Sequence, residues 1–229
     1  MSEELAFPPS VVLGLWLNAS LNDSVSRTDA ANAIETITDQ VNISGEFSDI
    51  DSWLDLVQMV ASSKTPVAVG LPVDGDPAGV PTELLRTIQR ESGVVAINRN
   101  LLLVLSRDGI WTLKPSPNTV LHHDLNQSRR ILNEQVSISA GQLAASDLVG
   151  DDSQILEMLD EFRSLHLPPH LSTRSAEALE SAARILIVAR GAIESTAALH
   201  SPSVDKLRLQ NLEELIVKSR AVLQSVVTA

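Results

Sequence analysis

The chain has 229 residues, 44% of them apolar, with three Phe, three Trp, no Tyr and no Cys. Its 29 acidic residues outnumber 17 basic ones for a formal net charge of -12, so a phosphate backbone is repelled on average and nucleic acid is not an expected partner. The lack of Cys excludes disulfides, thiolate metal sites and cysteine nucleophiles, and so few aromatics leave no stacking platform for single strands.

The opening Met-Ser-Glu-Glu carries acid where a secretory signal needs Lys or Arg. Apolar runs such as Ile185–Ala189 are too short to span a bilayer. A cytoplasmic protein, off the membrane, is the expectation, and the sequons at Asn18, Asn22, Asn42 and Asn126 then count as chance matches.

Pro8-Pro9-Ser10 starts a first helix expected to run to about Leu17, because proline suits the first turn. Ser26 with Asp29 forms a capping pair for a second helix, with Ala30, Ile34, Ile37 and Val41 on one face. A short strand is expected at Ile43–Phe47. Ser48–Asp51 then caps a helix with Ile50, Trp53, Leu54, Val57, Val60 and Ala61 as its stripe. Val67–Val73 is a buried strand, Thr82–Glu91 a helix and Val94–Ile97 a strand. Residues 67–97 therefore suggest a β-α-β unit with parallel strands. Leu101–Leu105 and Ile110–Leu113 form a hairpin within 101–113, with Asp108-Gly109 as its turn, and Pro115 and Pro117 end the sheet.

Beyond Val120 the pattern is helical. Leu125, Leu132, Val136 and Leu143 space one long helix, and Ile155, Leu156, Leu159 and Phe162 form the inner face of another. Leu167-Pro168-Pro169 is a rigid connection. Helices from Ser172 to Leu199 and after Ser201-Pro202 are expected to pair as an antiparallel hairpin. The fold class is thus α+β. A small mixed sheet of four or five short strands with N-terminal helices occupies 1–118, and a helical bundle occupies 119–229, packed on it as one unit or standing apart.

Pro66–Pro81 is the first choice for a small-molecule site, because strand-to-helix loops are where such folds place chemistry. Asp74-Gly75-Asp76 with Gly79 suggests a divalent cation, but the other ligands of a calcium loop are missing. Gly75, Pro77 and Gly79 also suit backbone turns, with the aspartates closing Asx-turns. His122-His123-Asp124 is a second polar cluster. Adjacent histidines point apart, and Asp124 fits an N-cap for the following helix. His166 and His170 flank the two prolines, and a place near a helix C-terminus accounts for His166. Arg184 and Arg190 are expected to pair with Glu177, Glu180 or Glu194. No Gly-x-Ser-x-Gly elbow or phosphate-binding Gly-Lys-Ser/Thr is present, so no catalytic residue, cofactor or metal is assigned.

Val69–Pro81, Leu167–Leu186 and the helix pair around Trp16–Ile37 resemble a group of uncharacterised actinobacterial proteins of similar length. The resemblance implies a bacterial intracellular protein and carries over no catalytic role. The residues favour a non-enzymatic interaction or structural protein, whose long C-terminal helices meet a second copy or a protein partner. The alternative is a small-ligand or divalent-cation domain, or an enzyme of another type, using the 74–80 loop.

Overall fold

The computed structural model describes residues 7–38, 52–89, 92–106, 110–117, 120, 123–143, 153–196 and 202–229. They fall into two units, one of residues up to His122 with Leu165–Ser172, the other of His123–Ser164 with Thr173–Val227. The expected strand at 43–47, the Ser48–Asp51 cap and the Asp108-Gly109 turn lie outside the described residues.

In the first unit, α1 (Pro9–Leu21) runs four residues past its expected end and is buried from Pro9 to Leu17. A helix apolar on every side must lie inside, and α1 packs against both neighbouring helices and the sheet. Ser26 caps α2 (Arg27–Ile37) by accepting the Asp29 N–H, as the capping pair demands. Ser52 does the same for α3 (Trp53–Ser63), with Asp55 as donor.

The sheet comprises β1 (Ala68–Gly70), β2 (Val94–Asn98), β3 (Leu101–Leu105) and β4 (Trp111–Pro115) in sequential order. Among the described residues every pairing is antiparallel. The mixed sheet and the parallel β-α-β pairing are therefore corrected. The connection spends its length on two chain reversals, and the helix expected over Thr82–Glu91 is the single turn α4 (Thr82–Leu85). One turn advances the chain only about 6 Å, too little to carry it back along the sheet before the next strand. After α4, Gln89 N–H donates to Leu105 O at 3.1 Å, and the chain enters β2 against the direction of β1.

Alternation across the sheet explains its nearly continuous apolar strands. Ala68, Val94, Ala96, Leu102 and Val104 share one face with Val80 and Ile88 of the connection, and Leu84 and Leu85 pack there too. The opposite face carries Val95, Leu103, Trp111 and Leu113. Trp53 of α3 meets Trp111 there edge-on, with centroids 6.4 Å apart. Both faces are covered, so both must be apolar.

The second unit holds α5 (Leu125–Leu143), α6 (Ser153–Ser164), α7 (Thr173–Thr196) and α8 (Pro202–Val227). Helix α8 packs between α5 and α7, and α6 packs on α7. Ala189, Leu212 and Leu215 centre the α7–α8 contact. Of the expected inner face of α6, Phe162 is buried but Leu156 is 59% exposed, which corrects its assignment. The chain is α+β. Among the described residues no helix is long and apolar enough to cross a membrane.

Candidate functional site

The loop after β1 is built from two reversals in succession. Val73 N–H donates to Asp76 O at 2.9 Å and Asp76 N–H returns to Val73 O at 3.1 Å, closing a turn over Asp74-Gly75. Gly75 supplies the left-handed conformation, at φ +86°. Val80 N–H then donates to Pro77 O at 2.9 Å. That second turn places Ala78 at φ +50° and Gly79 at φ +76°, the pattern of a type I′ turn. The Asp76 carboxylate accepts the Ala78 N–H at 2.9 Å, an Asx-turn that holds a non-glycine residue in a costly conformation. A Cβ on Gly70 would lie 3.2 Å from Ala78 O, so the loop folds back onto the strand where a glycine admits it.

Between this loop and α4 is an open cleft of about 270 Å³ bounded by Pro72–Pro77, Thr82 and Leu85. Asp74, Gly75 and Asp76 line it, whereas Gly79 does not. The aspartates are exposed, and Asp76 is engaged with the backbone. Among the described residues no group of three His, Asp or Glu could hold a metal ion.

The second candidate cluster does not converge. Asp124 Oδ1 accepts the Gln127 N–H at 2.8 Å, and Asp124 O accepts the Ser128 N–H at 3.0 Å, the geometry of an N-cap for α5. His123 is exposed, and His122 lies outside the described residues. Arg184 pairs with Glu180 at 2.6 Å on the surface of α7, a contact of small energetic weight.

Two arrangements lay beyond the sequence reading. Asn18 of α1 grips the backbone of Val67, donating to its carbonyl at 2.9 Å and accepting its N–H at 3.0 Å. His166 does not simply follow a helix end. Its ring stacks on Trp16 with centroids 5.5 Å apart and planes 11° from parallel, and its carbonyl accepts the Trp16 indole N–H at 2.9 Å. A polar residue late in an otherwise apolar helix was the available sign of the first. The second joins residues 150 apart and has no local sign.

The chain is thus an α+β protein whose N-terminal unit is an antiparallel meander covered on both faces. Residues 10–121 match the family model described as Rv1486c-like protein, N-terminal domain. That is an uncharacterised mycobacterial family, in agreement with the resemblance to uncharacterised actinobacterial proteins. No curated protein and no solved structure matches the chain.

Proposed function

We propose that this is a non-enzymatic interaction protein of the cytoplasm, whose helical unit presents a protein-binding surface. The observation that carries the reading is the placement of exposed large apolar side chains. Ile131, Ile138, Leu156, Val188, Leu207 and Leu209 all belong to α5–α8. Apolar side chains left on long helices suit a second copy or a protein partner, because burying them on association is favourable. The acidic charge keeps the free form soluble. A concentration series by light scattering, with an affinity pull-down, is the test. The expected result is an oligomer or a co-purifying protein that is lost on Leu156→Glu with Leu207→Glu, while thermal stability is retained. A wild-type chain that is monomeric at all concentrations and retains no protein sinks the reading.

A second reading rests on the cleft beside α4, where Asp74 and Asp76 both line one concave space. It assigns the loop to a divalent cation or a small polar ligand. Binding to the native form alone raises its apparent stability by about 2.7 kcal/mol at a hundredfold excess over the Kd. A thermal-shift screen with Ca²⁺, Mg²⁺ and nucleotides should show a shift that Asp74→Asn with Asp76→Asn abolishes. No shift with any of these ligands removes this reading.

A further inference from the structure

Leu165–Ser172 links α6 to α7 but groups with the first unit, and there His166, two residues before a Pro-Pro pair, meets Trp16. Leu167 and Pro168 each precede a proline, which steers both away from the α region and towards the extended polyproline II form. Residues 165–168 are neither helix nor strand, and Pro168 is buried. A polyproline II strand has no internal hydrogen bonds, so its carbonyls are free for an outside donor. Trp16 supplies one, with its indole N–H 2.9 Å from the His166 carbonyl. The same indole offers a flat face, on which the His166 ring lies. Polyproline-binding grooves likewise present aromatic side chains to a proline-rich segment, and here the aromatic side chain holds the residue that leads into the proline pair.

We propose that the first unit carries a docking site for a polyproline II segment, built on Trp16, and that its resident occupant is the chain's own His166-Leu-Pro-Pro169. The segment is held by recognition and not only by its covalent ends, so the same sequence supplied as a free peptide binds once the resident one is loosened. This site is separate from the exposed helix faces and from the acidic loop, and it stands whether or not those bind anything.

The test uses the full chain with Pro168→Gly and Pro169→Gly together, and NMR exchange of the indole N–H groups as the readout. Trp53, whose indole N–H donates to Thr38 O at 3.3 Å in the same unit, is the internal control. Trp16→Phe assigns the resonance. The expected result is exchange about tenfold faster at Trp16 with Trp53 unchanged, since local opening is governed by the contacts that close it. The free peptide Leu-His-Leu-Pro-Pro-His-Leu-Ser then restores slow exchange saturably, and its Gly-Gly version does not. Unchanged exchange at Trp16, or faster exchange that the peptide does not reverse, overturns the proposal. If both indoles lose protection together, the unit has opened as a whole, and the milder His166→Gly, which leaves the prolines and the backbone carbonyl in place, is used instead, again with the free peptide added. Faster exchange at Trp16 alone that the peptide reverses saturably supports the site, and unchanged exchange or exchange the peptide does not reverse overturns it.

Discussion

At Gly93 two constraints fall on one residue. Its φ of +71° is left-handed, and a Cβ there would lie 2.4 Å from Leu71 Cδ2, 2.5 Å from Ser10 Oγ and 2.9 Å from Gly70 O. The first constraint costs any other residue about 1–2 kcal/mol, and the overlap adds about 1–3 kcal/mol. Gly93→Ala is expected to lower stability by about 3 kcal/mol, read as a reduced urea midpoint at unchanged m-value. A loss of only a few tenths would mean that the junction can move apart. Asn18 is as demanding for a different reason. Val67 is fully buried, so Asn18→Ala strands both its N–H and its carbonyl, at a cost of about 2–4 kcal/mol. Asn18→Asp sharpens the argument. A carboxylate still accepts the Val67 N–H but faces the Val67 carbonyl with no proton, so the fold favours the protonated acid and raises its pKa. The penalty should be smallest below about pH 4 and should grow as pH rises through the raised folded value. An Asn18→Asp penalty that stays constant between about pH 3 and pH 7 would contradict this geometry.

At the scale of elements, local chemistry was legible and strand direction was not. Ser26, Asp124, Gly75 and the run from Leu125 to Leu143 each act within a few residues, so composition announces them. The Asp-Gly and Ala-Gly reversals were also legible as turns. Their effect on the next strand was not, because it depends on how far the chain has travelled when it meets the sheet again. Strands covered on both faces deepened the ambiguity, since continuous apolar runs suit parallel and buried antiparallel sheets alike. The packing of α6 on α7 was also out of reach. A Cβ on Gly191 would lie 2.6 Å from Ile155 Cγ1, so the glycine sets how closely the two helices approach. Gly191→Ala should cost about 1–2 kcal/mol despite the better helix propensity of alanine. In an Ile155→Ala background the overlap is gone, and the same change should become neutral or stabilising by up to about 1 kcal/mol. A double-mutant cycle with no coupling would place Ile155 away from that contact.

At the scale of the whole molecule, the informative feature is that the first unit is discontinuous in sequence. Its helices and sheet end by residue 122, yet the segment that covers Trp16 arrives after α6. A fragment of residues 1–122 keeps all four strands and α1–α4, so it retains most of the apolar burial that drives folding. What it loses is the cover of an indole that is 3% exposed in the intact chain. Stripping a Trp of its stacking partner and its hydrogen-bond acceptor leaves a polar N–H and an apolar face to be solvated at one spot. The fragment should therefore fold to a sheet-containing state by circular dichroism, with a red-shifted Trp emission that Trp16→Phe removes. It should also unfold at lower urea concentration than the first unit does within the intact chain. A fragment as stable as that unit, with unshifted emission, would show that α1 closes over Trp16 without help from residues 165–172.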